Sequence, residues 1–216
     1  FEVNMLTKMS FLDINDSGGF CANLQDPEGL RSTLRTLKPQ ITVNAAAWTA
    51  VDRAEEEKEA ATRINGLAPA ILAEEMRSLN GWLVHYSTDY VFAGSGTRPW
   101  REDDPTGPLG VYGRSKLAGE RAVAASGCRH LVLRTSWVYS LRGRNFLTTM
   151  HRLACEREEL RVVDDQIGAP TSSAALADAG AALARRLRDA PPEAGGLYHM
   201  SCAGAVSWCG FARAIV

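Results

Sequence analysis

The sequence predicts a doubly wound α/β fold, a parallel sheet with helices on both faces. Three observations lead there. Strand-like and helix-like segments alternate almost from end to end. The strand-like runs are continuously apolar rather than alternating, as in parallel strands covered on both sides. The chain has 216 residues, 45% of them hydrophobic, which is enough for one sizeable core.

Taken in order, Phe11-Leu12-Asp13-Ile14 reads as a short buried strand followed by a polar loop. Pro27 to Leu37 reads as a helix, with Asp26 as its N-cap and Pro27 at its first position. Ile41 to Ala47 reads as a strand running into a small-residue loop. Glu55 to Ser78 is rich in helix formers, with a break expected near Gly66 and Pro69. Trp82 to Thr88 is a strand, and a loop rich in glycine and proline carries the chain to a helix near Tyr112 to Ala125. Leu131 to Arg134 is a strand, Asn145 to Arg157 a helix, Leu160 to Val163 a short strand, and Ser172 to Arg188 a helix. Leu197 to Met200 is a late strand, and a last helix starts near Ser207. The acidic run Glu55-Glu56-Glu57 reads as a solvated helix face.

Bulk properties exclude several classes of function. The formal net charge of −1 gives no electrostatic case for nucleic acid or an anionic membrane. No apolar run is long enough to span a bilayer, and no signal peptide is visible. The five cysteines are odd in number and form no Cys-x-x-Cys pair, which fits a reduced, cytoplasmic protein and argues against a thiol-bound metal. The chain starts at Phe1 rather than methionine and ends inside an apolar segment, so both ends are expected to have been cut from something longer.

The chemistry concentrates in Tyr112-Gly113-Arg114-Ser115-Lys116. A tyrosine and a lysine four residues apart share one helix face. The ammonium can lower the phenol's pKa and hold a bound ribose. A phenol near its ordinary value of about 10 is a poor proton donor or acceptor at neutral pH, and moving it toward 7 takes about 4 kcal/mol of differential stabilisation. Ligands in such folds sit beyond the carboxyl ends of the strands, and three segments fall there. Ala45, Ala46, Ala47 and Thr49 follow the Ile41 strand, where small side chains let a flat cofactor approach the backbone; tight helix–sheet packing explains the alanines equally well. Thr88 can hydrogen-bond a carbonyl oxygen while Tyr112 supplies its proton, or it can cap a turn. Asp89 and Tyr90 can bind sugar hydroxyls or cap the following loop. Trp137 can stack on a sugar or base, or belong to the core.

Together, Asn44-Ala-Ala-Ala-x-Thr-Ala-Val-Asp52, Ser87-Thr-Asp-Tyr-Val-Phe92, Tyr112-Gly-x-x-Lys-Leu-Ala-Gly-Glu120, Arg134-Thr-Ser-Trp-Val-Tyr139 and Asp165-Gln-x-Gly-Ala-Pro-Thr171 resemble the dTDP-4-dehydrorhamnose reductases of the extended short-chain dehydrogenase/reductase superfamily. The motifs stand in family order from about Leu12 to the C-terminus. The resemblance implies a Rossmann-like domain across residues 1–216, with substrate-lobe segments at about 140–175 and 197–216. It implies reduction of the 4-keto group of dTDP-4-dehydro-L-rhamnose by NADPH or NADH. By matching position, Tyr112 is the acid, Lys116 tunes it and binds the nicotinamide ribose, and Thr88 orients the carbonyl. Ala45, Ala46, Ala47 and Thr49 fall on the cofactor side, and Asp89, Tyr90 and Trp137 on the sugar side. A homodimer is an expected assembly. Some members carry magnesium at a dimer contact, but no acidic cluster in this sequence supports one.

The sequence departs from the family at both ends. The first strand and its glycine-rich dinucleotide loop do not precede Phe11, residues 1–10 do not read as that strand, and Gly18-Gly19 is expected in a later loop. The expected result is weak cofactor binding by these residues alone. Two other readings remain open at this stage: an epimerase or dehydratase of the same superfamily, and a non-catalytic relative on the same scaffold. Intact Thr88, Tyr112 and Lys116 argue against the second.

Overall fold

The computed structural model describes the backbone of residues 8–12 and 19–216, and side chains from Asn23 onward. The chain divides into two compact units. The first comprises residues 1–134 and 184–199, the second residues 135–183 and 200–216.

The first unit is built on a four-stranded sheet in the order β3 (Ile41–Asn44), β4 (Trp82–Thr88), β5 (Arg129–Thr135), β9 (Gly196–His199). β3 and β4 are parallel, in register from Ile41–Trp82 to Asn44–His85, and β5 and β9 are parallel from Leu131–Gly196 to Arg134–His199. Six of the seven residues of β4 are buried, which is why its sequence lacks polar–apolar alternation. The expected first strand lies elsewhere. β1 (Lys8–Leu12) pairs antiparallel with β2 (Gly19–Asn23) in a separate two-stranded sheet. Gly19 therefore opens a strand rather than sitting in a loop, while Asp13, Ile14 and Gly18 lie outside the described residues.

Helices cover the sheet for legible reasons. α1 (Pro27–Leu37) is capped by the Asp26 carboxylate, which accepts from the Gly29 amide at 3.0 Å, and it buries Leu30 and Leu34 on one face. Those leucines share a core with Ile71, Leu72 and Met76 of α4 (Ala68–Ser78) and with Leu83 and Val132 of the sheet. Each such side chain contributes about 1.5–3 kcal/mol of burial. The helical stretch before α4 breaks at Glu57, between α2 (Val51–Glu56) and α3 (Lys58–Thr62), not near Gly66 and Pro69 as expected. From α3 the chain passes through a π-helical turn, Arg63–Leu67, straight into α4. Pro69 falls in the first turn of α4, where its missing N–H is tolerated. α5 (Val111–Ala125) follows the glycine- and proline-rich loop.

The second unit holds two short strand pairs and three helical segments. β6 (Val138–Tyr139) runs parallel to β8 (Thr171–Ser172), and β7 (Ile167–Gly168) pairs antiparallel with β10 (Val206–Ser207). α6 (Phe146–Glu156) starts with a reciprocal cap between Asn145 and Thr148. α7 (Ser173–Leu187) contributes its residues up to Leu183, and α8 (Trp208–Ile215) is capped by the Ser207 hydroxyl. Leu160–Val163 is not a strand. The Val163 carbonyl instead accepts from the Cys209 amide at 2.9 Å, at the start of α8. Among the described residues no helix is long and apolar enough to cross a membrane.

Candidate active site

The end of β4 and one face of α5 carry most of the residues singled out by sequence. Lys116 Nζ donates to the Tyr86 carbonyl at 2.6 Å. The Ser87 hydroxyl donates to Glu120 Oε1 at 2.5 Å. The Thr88 hydroxyl lies beside the Tyr112 phenol. Immediately after β4 the chain makes a single 3₁₀ turn, Asp89–Val91, in which Thr88 Oγ1 donates to Asp89 Oδ1 and accepts from the Tyr90 amide, both at 3.2 Å. The Tyr90 ring meets the Tyr112 ring edge-on, with centroids 5.5 Å apart. The structure thus brings Thr88, Asp89, Tyr90, Tyr112 and Lys116 together where β4 ends against α5.

Two glycines make the approach possible. A Cβ on Gly113 would stand 2.2 Å from the Tyr90 carbonyl oxygen, and one on Gly119 would stand 2.2 Å from the Asn65 carbonyl oxygen in the π-helical turn. The small residues of the Tyr112–Glu120 motif are therefore steric requirements for packing α5 against its neighbours.

Electrostatics at the site reverse one expectation. Enclosure by the surrounding protein pushes the Tyr112 phenol up to about 12; the Thr88 hydrogen bond opposes the rise and the Asp89 charge adds to it. Burial pushes Lys116 down to about 8, against the pull of Glu120. The ammonium rests on a backbone carbonyl and does not depress the phenol, because desolvation outweighs the remaining charge interactions at both groups. His85, fully buried beneath the site, is held well below its ordinary value by desolvation and by the neighbouring Lys116 charge. Its Nδ1 faces Asn44 Nδ2 at 3.0 Å.

The loop after β3 is fixed from below. Asn65 bridges it: its side-chain oxygen accepts from the Trp48 amide at 2.8 Å, and its Nδ2 donates to the Trp48 carbonyl and to the Ser115 hydroxyl, both at 3.0 Å. Ala45 and Thr49 are exposed and Ala47 is half-buried, whereas Ala46 is buried in the core cluster with Trp48. Ala46 therefore packs, and only Ala45, Ala47 and Thr49 present side chains toward open space. Glu55 is exposed, as the solvated-face reading of the acidic run expected, and it also has a partner on α5. Its carboxylate accepts from the Val111 amide at 2.6 Å, capping α5 where Gly110 supplies no side chain.

Trp137 belongs to the second unit. Its ring stacks on Trp208 with centroids 3.5 Å apart and planes 8° from parallel. Its backbone sits at φ 45°, a left-handed conformation that costs a bulky residue about 1–3 kcal/mol. A Cβ on Gly168 would collide with the indole at 2.3 Å, so Gly168 makes room for this orientation.

Sequence reasoning gave no roles to Asn65, Ser87, Glu120 and Arg134. Arg134 donates to Glu120 through Nε at 3.0 Å and Nη2 at 2.7 Å, and both side chains are buried. The available signal was spacing: Glu120 lies one turn beyond Lys116 on the Tyr112 face.

The chain matches the family model for the RmlD substrate binding domain over residues 6–216. It belongs to that family. It is 48% identical to dTDP-4-dehydrorhamnose reductase of Escherichia coli (strain K12), an alignment covering 92% of this chain and 66% of the relative. It is 51% identical to the same-named protein of Burkholderia thailandensis, over 90% of this chain and 66% of the relative. Among solved structures, the NADP complex of dTDP-4-dehydrorhamnose reductase from Bacillus anthracis str. Ames superposes with a TM-score of 0.81 at 36% identity, covering 90% of this chain and 67% of that one. The chain thus spans about two thirds of the length of the relatives it matches. The RmlD-family assignment establishes the Rossmann-like α/β class that the strand–helix alternation predicted.

Proposed function

We propose that the protein of which these residues are part reduces the 4-keto group of dTDP-4-dehydro-L-rhamnose to dTDP-L-rhamnose, using NADPH or NADH. One observation carries the reading most: the Thr88 hydroxyl and the Tyr112 phenol lie side by side at the carboxyl end of β4, with Lys116 one turn from Tyr112 on the same helix face. The names of the relatives at 48% and 51% identity support the substrate, and the NADP-bound neighbour supports the cofactor.

The residues present suit a nicotinamide dinucleotide. Exposed Ala45 and Thr49 and half-buried Ala47 leave the backbone after β3 approachable, and Lys116 and Tyr112 offer donors to a ribose. When bound, the cofactor supplies the hydride that adds to C4. The chain supplies the proton and the positioning. A phenol pushed up to about 12 carries its proton throughout the neutral range, as reduction of a ketone requires. Tyr112 donates that proton to the C4 oxygen, and Thr88 orients the carbonyl and then stabilises the phenolate. Asp89 and Tyr90 line the sugar side in this reading, and the flat Trp137 ring of the second unit suits contact with a sugar or base. The four described cysteines are free, which favours a cytoplasmic location. A homodimer is the assembly we assign.

The test is stoichiometry. Full-length protein incubated with the keto-sugar nucleotide and NADPH should consume one cofactor per dTDP-L-rhamnose formed. Turnover without net NADPH loss would instead indicate an epimerase or dehydratase. Absence of both consumption and sugar conversion, with intact ligand binding, would indicate a non-catalytic relative.

A further inference from the structure

Three consecutive residues of β4 meet three residues spaced one turn apart on α5: Tyr86 bonds Lys116, Ser87 bonds Glu120, and Thr88 lies beside Tyr112. Two of these pairs involve residues already given roles. The third does not, yet it is the most heavily built. Glu120 is 3% exposed and Arg134 5%. Glu120 Oε1 accepts from both Ser87 and Arg134 Nε, while Oε2 accepts from Arg134 Nη2. Arg134 stands over the Phe92 ring at 4.9 Å, and its Nη1 reaches the Glu102 carbonyl at 3.4 Å. The Glu102 carboxylate in turn accepts from the His199 amide at 2.8 Å. The clamp thereby joins β4, β5, β9 and α5.

We propose that Glu120, clamped by Arg134, is a positioning residue for this site: through Ser87 it holds the end of β4 against α5, and it sets a carboxylate one turn from the Lys116 ammonium. The inference rests on the reading of the Thr88–Tyr112–Lys116 face as a reductase site. An ion pair serving only to join β5 to α5 would not need Ser87, whose hydroxyl shares the same carboxylate oxygen. The Ser87 link transmits the clamp to the residue next to Thr88. The Glu120 carboxylate faces cationic Lys116 on α5 and Arg134 from β5, and Lys116 in turn faces neutral His85 of β4. Asp89 of the 3₁₀ turn and Asp52 of α2 bear on Tyr90, and Asp89 also on Tyr112. Glu120 is the carboxylate that favours the charged form of Lys116, offsetting part of its desolvation.

The experiment is an NMR titration of the Lys116 side chain in the full-length protein, comparing wild type with Glu120→Gln/Arg134→Met, which removes both buried charges together. The wild-type midpoint is expected at about 8. In the variant it should fall by about one pH unit, because the carboxylate no longer favours the ammonium. An unchanged midpoint in a variant that melts like wild type would overturn the proposal. Should the double variant not fold, Ser87→Ala keeps the ion pair and cuts only the strand tie. Amide exchange at residues 86–90 should then quicken about tenfold or more, and unchanged exchange would overturn the proposal equally. Both readouts are independent of turnover. Wild-type protein inactive on the keto sugar, with the midpoint shift present, would reject the reductase reading while supporting the clamp.

Discussion

The seam between β4 and α5 and the aromatic stack of the second unit each hold side chains in one orientation, by opposite means. The seam uses buried polar and charged groups. Ser87, Thr88, Lys116, Glu120 and Arg134 are all at most 6% exposed, and each has a named hydrogen-bond partner. The stack uses rings. Trp137, Trp208, Phe146 and Phe211 lean on one another at centroid distances of 3.5–6.5 Å, and α6 buries no residue fully. Hydrogen bonds fix an atom's position, which proton transfer requires. Ring stacking fixes a plane while tolerating sliding, which suits contact with a sugar or base. Damage to the seam should therefore appear in turnover, and damage to the stack in substrate affinity.

The largest effect tests the seam. Lys116→Met should lower kcat/KM roughly a hundredfold or more and weaken cofactor binding, since it removes the ammonium from the Tyr112 face. Cofactor titration and steady-state kinetics check this together. Next is Gly113→Ala, whose new methyl meets the Tyr90 carbonyl at 2.2 Å. We expect a loss of about 1–3 kcal/mol of stability, read by denaturant melts. The stack is sharpened by Gly168→Ala, which displaces the Trp137 indole. The sugar-nucleotide KM should rise about tenfold with kcat little changed. If kcat fell equally, the division of labour between the two regions would be wrong.

The smallest effect concerns pH. His85 is neutral in the fold, with its pKa held well below 6.5 by burial first and by Lys116 second. The unfolded chain takes up a proton there as pH falls through about 6.5, so the unfolded state binds more protons below that value. Its stabilising contribution is full above about 6.5 and is progressively lost below it. The Tm should drop on acidification, and His85→Phe should flatten that drop.

Much of this was legible in the sequence. Asp26-Pro27 announced α1 and its cap, and the apolar run at Trp82 announced a strand buried on both faces. Tyr112, Lys116 and Thr88 announced the seam because helix spacing and a strand end suffice to bring them together. What was not legible depends on long-range partners. The Phe11 run is apolar enough for a sheet strand, yet pairs antiparallel with Gly19–Asn23, and strand composition carries no information about which neighbour is chosen. Leu160–Val163 is apolar and β-branched enough for a strand but makes no ladder, its Val163 carbonyl bonding to α8. The expected lowering of the Tyr112 phenol failed because spacing reveals a nearby lysine but not the desolvation that both groups suffer. Glu55 is exposed as read, but its bond to the Val111 amide, 56 positions later in sequence, was not legible.

The central claim is that Tyr112, beside Thr88, donates the proton in the proposed reduction of the keto sugar. The direct measurement is turnover of dTDP-4-dehydro-L-rhamnose by full-length Tyr112→Phe, with NADPH affinity determined separately on the same preparation. The phenylalanine keeps the ring against Tyr90 and removes only the hydroxyl. The account predicts a fall in kcat of roughly a hundredfold or more with NADPH affinity within about threefold of wild type. Turnover close to wild type would contradict it and remove Tyr112 from the chemistry.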